Sequence, residues 1–123
     1  MTESPLPPHS QEAEEAVIGA VLINPDAYHD VAHFLQADDF FIHRHRFIWE
    51  ALTHLYEQKI PVDFLTLTEV LDRTGRLAEI GGPAYLTALI NNTPSSLHAQ
   101  AYAHIVQQAA VRRRMLAAAN QVA

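Results

Sequence analysis

The sequence predicts an all-α fold in which a head of about five to six helices is followed by one long projecting helix. Three observations lead there. Of the 123 residues, 60 are apolar or aromatic, and 19 of these are Ala and 13 Leu against 8 Val and 8 Ile, a bias toward helix formers. Apolar side chains recur at spacings of three and four along most of the chain. Strand alternation of convincing length is missing: residues 60–65 are the only contender, and Pro61 demotes them. A chain of this size buries roughly 65–70% of its unfolded surface, enough for a single core.

Residues 1–9, with three Pro and no periodic pattern, read as a disordered lead-in. Ser10 then precedes Gln11, Glu12, Ala13, Glu14 and Glu15, an N-cap followed by carboxylates where the helix dipole favours them. Ala13, Ala16, Val17, Ala20 and Val21 give this first helix a narrow face of small residues, and Gly19 inside it implies close approach of another backbone. Asn24 and Pro25 restart the chain as cap and first helical residue of a second helix that buries Val31, Phe34 and Leu35. After a turn carrying Asp38, Asp39, Phe40 and Phe41, a third helix spans residues 43–58. Phe47, Ile48, Ala51, Leu52 and Leu55 line one side of it, with Trp49 and Tyr56 on another. Asp63 caps the fourth helix, or else Thr66 does so one turn later with Glu69 completing a capping box. Leu67, Val70 and Leu71 face inward until Gly75, a left-handed stop. Gly81, Gly82 and Pro83 make a tight turn into a fifth helix with Leu86, Leu89 and Ile90 inward, and Ser95 or Ser96 caps the last.

Nothing halts the last helix between Leu97 and Ala123: it has no Gly and no Pro. Its apolar residues form two stripes, Tyr102, Ile105, Val106, Ala109 and Leu116 on one line, and Val111, Met115, Ala118 and Val122 on the other. A two-sided helix calls for two partners. At about 1.5 Å per residue it would span about 40 Å, more than the width of the head. The chain therefore divides into the lead-in 1–9, a head 10–96 and a projecting arm 97–123, ending as a chain cut within a helix would end.

Fourteen Asp and Glu against eight Lys and Arg give a net charge of −6, the wrong sign for a domain that neutralises nucleic-acid phosphates by itself. The charge is also segregated, with no Lys or Arg before Arg44 and no Asp or Glu after Glu79. Glu12, Glu14 and Glu15 in front and Arg112, Arg113 and Arg114 at the back read first as solvated helix faces. They could also meet within a chain or between copies. The absence of Cys excludes a disulfide scaffold, a thiolate metal site and a Cys nucleophile. No apolar run reaches a membrane span and the first residues lack the pattern of a signal peptide, so a cytoplasmic chain with no membrane contact is expected.

Catalytic patterns are equally sparse. The only Lys, Lys59, has no Gly-rich loop before it, which excludes a phosphate-binding loop within these residues; nor is there a Gly-x-Ser-x-Gly elbow. His29 and His33, four apart with Asp30 between, imitate a zinc-protease helix. Asp is a methylene shorter than the Glu that this chemistry uses, and no third ligand follows at a recognisable spacing. His43 and His45, beside Arg44 and near Asp38 and Asp39, read as first-turn surface residues. No cofactor or metal is assigned to the chain.

Six blocks in order carry a family likeness. They are Pro8-His9-Ser10-Gln11-Glu12-Ala13-Glu14 running into Val17-Ile18-Gly19, Asp38-Asp39-Phe40-Phe41, Pro61-Val62-Asp63, Gly81-Gly82-Pro83-Ala84-Tyr85-Leu86, Asn92-Thr93-Pro94-Ser95 and Tyr102-Ala103-His104-Ile105-Val106. With them the chain resembles, from Pro8 to about Gln121, the N-terminal domain of the bacterial hexameric replicative DNA helicase, the DnaB type. The resemblance implies an all-helical head followed by a helical hairpin, through which copies pair from dimer to hexameric ring. It also implies a collar on which the C-terminal domain of primase docks, with a helicase loader as a further partner. ATP and Mg would serve the motor domain of the parent protein, an ATP-dependent DNA helicase, and DNA would be met only through the full-length ring. The chain departs from that pattern in holding only the first arm of the hairpin.

The reading is thus a non-catalytic collar domain for oligomerisation and primase docking. Tyr85, Leu116, Val122, Met115 and Arg112 are its candidate contact residues, because a few apolar, aromatic and Arg anchors dominate interface energies. Ordinary core packing is the competing explanation for Tyr85, Leu116 and Val122. Two alternatives differ in class: a stand-alone helical adaptor of the replication machinery, and a metal-dependent hydrolase built on His29 and His33.

Overall fold

Described in the computed structural model are residues 6–122, with the side chain of Val122 outside the description. The elements are α1 (Gln11–Ile23), α2 (Ala27–Val31), a 3-10 turn (Ala37–Asp39), α3 (His43–Glu57), α4 (Phe64–Arg73), α5 (Gly82–Asn92) and α6 (Ala99–Val122). Among the described residues there is no strand, and residues 60–63 are irregular backbone ahead of α4. The fold class is all-α, as expected.

At the centre runs α1, which touches α6 and α5 most extensively and also α3 and α2. Its sequence explains how it does so. Ser10 caps it, accepting from the Ala13 N–H at 3.2 Å. Ala13, Ala16, Val17, Ile18, Ala20 and Val21 are all buried, and most are small, so neighbouring helices can approach from several sides. Gly19 marks the closest approach: a Cβ there would stand 1.6 Å from Thr93 Oγ1 and 2.7 Å from the Leu89 carbonyl oxygen, so the end of α5 lies directly on α1.

The turns obey local chemistry. Asp63, rather than Thr66, caps α4: it accepts from the Thr66 N–H at 2.8 Å, while Thr66 Oγ1 accepts from the Asp63 N–H at 3.0 Å. Gly75, Gly81 and Gly82 all have positive φ, and Pro83 occupies the first turn of α5. Ser95 Oγ accepts from the Leu97 N–H at 3.0 Å, a turn placed two residues ahead of α6. Lys59 ends α3 with φ 58°, and the Ile60 N–H reaches back to the Leu55 carbonyl at 2.9 Å, a left-handed stop that its side chain does not announce.

Several expectations need correction. The second helix is short, and Asn24 Oδ1 accepts from the Asp26 N–H in a turn ahead of it rather than capping a helix at Pro25. Both faces of α3 are covered, so Trp49 is buried along with Ile48, whereas Phe47 is only partly buried beneath the Arg76 guanidinium. Glu14 and His45, read as solvated, are almost completely buried. The core also runs through the boundary expected before residue 97: Ala99, Ala103, Val106 and Ala110 are buried on one line of α6. Three of these are Ala, whose small side chains weigh little in a hydropathy pattern yet suit contact with the small residues of α1. Of the residues expected to lead in, Pro8 accepts at its carbonyl from Arg113 of α6 and His9 stacks on Phe41 of the head at 4.3 Å; residues 1–5 lie outside the described residues.

Replacing Gly19 with Ala is expected to cost about 1–3 kcal/mol or more, because one of the clashing atoms is backbone. Thr93→Ala removes the nearer contact but not the Leu89 carbonyl, so the double variant should recover only part of the loss in urea denaturation midpoint.

Candidate partner interface

Two surfaces qualify. The first is organised around Tyr85, which the Gly81 turn projects from the first turns of α5. Beneath it lies a buried polar chain. One Glu14 oxygen accepts from the Phe41 N–H at 2.7 Å, and the other from the Ile42 N–H at 3.2 Å and from His45 Nδ1 at 2.8 Å. A carboxylate bonded to backbone donors offers no proton, so Nδ1 carries a hydrogen and donates to Glu14, while Nε2 lies 2.5 Å from the Tyr85 hydroxyl. The same hydroxyl lies 3.4 Å from Glu15 Oε2, and the Arg44 guanidinium sits 4.1 Å over the ring. Burial, chiefly, pushes the Tyr85 hydroxyl up to about 12, with Glu15 adding to the shift and Arg44 opposing it.

Glu15 also borders a groove of about 360 Å³ between α1, the end of α5 and α6, floored by Ala13, Ala16, Leu89, Tyr102 and Ile105. Tyr85 is half-buried with its hydroxyl committed internally, so what it offers a partner is one edge of its ring together with Glu15 and Arg44. Arg44 Nε is buried and without an acceptor among the described residues.

The far half of α6 is the second surface. Beyond Ala110 no described apolar side chain of this helix is buried: Val111 is exposed, Met115 is 65% exposed and Leu116 is 53% exposed. Arg112 is exposed beside them, and the Val122 side chain lies outside the described residues. The expected contact residues therefore do not form one site. Met115, Leu116 and Arg112 share the far half of α6, while Tyr85 belongs to the head. A groove of about 610 Å³ lies along that half, lined by Leu6, Pro7, Pro8, Arg113, Leu116 and Ala117.

The paired histidines of α2 go elsewhere. His29 meets Tyr56 edge-on at 5.2 Å, and His33 meets Phe34, whose ring stacks on His104 at 4.4 Å. Among the described residues no three His, Asp or Glu side chains gather as metal ligands.

Sequence reading missed Glu14, His45 and the paired use of Glu15 and Arg44. A signal was present: His45 is three and seven residues before the buried Ile48 and Leu52, and Glu14 three and four before the buried Val17 and Ile18, so each polar residue lies on an apolar stripe.

Glu14→Ala should cost about 3–5 kcal/mol, since it strands two backbone N–H groups and His45 together; Tyr85→Phe should cost about 1 kcal/mol, and chemical denaturation measures both. The raised Tyr85 value sets the sign at alkaline pH. The folded state holds the proton more tightly than the unfolded chain, so its contribution is complete below pH 10 and is lost as pH rises through about 12. The same applies to Tyr56, pushed to about 12 mainly by burial. Absorbance titration at 295 nm should show late-titrating tyrosine, reduced in Tyr85→Phe and again in Tyr56→Phe.

Comparison with known proteins identifies the family. Residues 6–108 match the family described as the DnaB-like helicase N terminal domain. The replicative DNA helicase DnaB of Haemophilus influenzae is 39% identical over 118 residues, covering 96% of this chain and 25% of the relative, so the chain spans about a quarter of that protein's length. The crystal structure of the N-terminal domain of DnaB helicase from Mycobacterium tuberculosis superposes with a TM-score of 0.92 at 38% identity, over 95% of this chain and 84% of that one. A structure of the N-terminal domain of DnaB helicase from Helicobacter pylori, described together with its interactions with primase, shares the fold, with a TM-score of 0.78 at 20% identity over 91% of this chain and 87% of that one. On the family match and the identity over nearly its whole length, the chain belongs to the DnaB-like helicase N-terminal domain family.

Proposed function

We propose that this chain is the N-terminal collar of a replicative DNA helicase, which holds copies of the helicase together and presents a docking surface to the C-terminal domain of primase. The observation that carries the reading is the far half of α6, where Val111, Met115 and Leu116 are exposed together on one helix and no described apolar side chain is buried beyond Ala110. Leu116, Met115, Arg112 and Val122 would line the contact between copies, and Tyr85 with Glu15 and Arg44 the surface on the head. The Helicobacter pylori domain, with its primase interactions, supports the choice of primase; a helicase loader is a further partner of the same kind.

The domain itself would be non-catalytic. Strand separation, ATP and Mg belong in this reading to the motor of the longer protein, and DNA is contacted only by the assembled ring. No helix among the described residues is long and apolar enough to cross a membrane, which agrees with a replication protein of the cytoplasm. In this division residues 10–96 act as the head and residues 97–123 as the first arm of a hairpin, whose near half packs on the head as far as Ala110.

Leu116→Ala should weaken self-association, or binding of a primase C-terminal domain, by about 1–3 kcal/mol while leaving helicity unchanged. Sedimentation equilibrium and titration calorimetry read the two separately. Unaltered affinity in both assays, with helicity intact, removes the far half of α6 from the interface.

A further inference from the structure

We infer that Arg113 and Arg114, closing on Asp39, form a clasp that sets the direction in which α6 leaves the head. The inference concerns the fold's own geometry and holds whatever docks on the helix. Packing guides α6 only as far as Ala110, its last buried residue among those described. One turn later the guidance becomes polar. Arg113 donates to the Asp39 carbonyl at 2.8 Å and to the Pro8 carbonyl at 2.8 Å, and its guanidinium lies 5.4 Å from the centre of the Phe41 ring, on which His9 stacks. Arg114 donates to Asp39 Oδ1 at 2.6 Å.

Asp39 is a suitable anchor because it is itself buried and bonded in place. Its side chain is 6% exposed, and its other oxygen accepts from the Gln36 N–H at 2.9 Å, fixing the 3-10 turn. The following residues are held from beneath, the Phe40 carbonyl by Arg46 Nε at 2.6 Å and the Phe41 and Ile42 N–H groups by Glu14. A buried carboxylate also needs a cation, and Arg114 supplies it from a side chain that is itself half in solvent. Arg113 reaches two carbonyls with two different nitrogens of one planar group, which a Lys ammonium on a flexible stem would not hold in one direction. The clasp therefore joins three segments far apart in the chain: the approach to α1, the turn before α3, and the point where α6 leaves its last core contact.

The chain has no Cys, so spin labels can be placed at will. A pair introduced at Glu57 and Asn120, both exposed, reports the angle between head and arm; a pair at Glu57 and Thr87 reports the head alone. Labelled chain diluted into excess unlabelled chain keeps the distances within one molecule. Pulsed dipolar spectroscopy is expected to show the Glu57–Asn120 distribution at least doubling in width in the variant carrying Arg113→Gln and Arg114→Gln, with an intermediate change for Arg114→Gln alone. The head pair should stay unchanged. Since Arg114 is half in solvent, its single replacement keeps the test valid if the double variant folds poorly. An arm distribution unchanged in both variants overturns the clasp, and so does a head pair that widens in step with the arm in Arg114→Gln.

Discussion

Most of this structure hangs on one buried carboxylate. Glu14 sits in the first turn of the central helix, almost without solvent, and its two oxygens hold the Phe41 and Ile42 amides and the His45 ring. Taking a carboxylate out of water is costly unless its acceptor capacity is used, and here three donors use it. In return the chain gains long-range constraints that apolar packing cannot give: α1 is tied to the start of α3, and through His45 and Tyr85 to α5. Apolar contacts would tolerate small slips among these helices, whereas hydrogen bonds of fixed length and angle do not.

The same carboxylate explains which parts of the fold could be read from the sequence. Helices announce themselves through caps and spacing, so Ser10, Asp63, Gly75 and the Gly81 turn all do what their residue types suggest, and Gly19 marks a real close approach. Long-range polar pairs leave no such mark. Glu14 and His45 are separated by 31 residues, and each has an ordinary surface explanation when viewed alone. The small-residue line of α6 was obscure for a different reason: Ala99, Ala103 and Ala110 add little to any apolar count, although contact with α1 makes them core. The family itself was legible because six short blocks in order carry information that no single block does, while the contact residues were only partly so, since exposure of Leu116 or Met115 depends on where the head ends.

Charge segregation along the chain takes on a physical meaning once the fold is seen. The acidic front and basic back do meet within the molecule, but at Asp39 rather than at the glutamates that open α1. Of those glutamates, Glu14 turns inward, and Glu12 and Glu15 border the groove beside α6. The surface near Tyr85 therefore combines Glu15 with one Arg over an aromatic ring, and the far half of α6 combines apolar side chains with Arg112. These are chemically distinct faces and suit different partners.

The division of α6 into a half with core contacts and a half without them has a thermodynamic consequence. A lone helical segment of roughly a dozen residues is marginal in water, and past the clasp this one has little else beneath it. Its order is then linked to occupancy. Whatever covers Met115 and Leu116 would add packing to turns that otherwise rest on their own backbone hydrogen bonds, so part of the binding free energy would go into holding the helix and the observed affinity would be lower than the contact alone would give. Anything that orders those last turns beforehand would tighten assembly without adding a single contact.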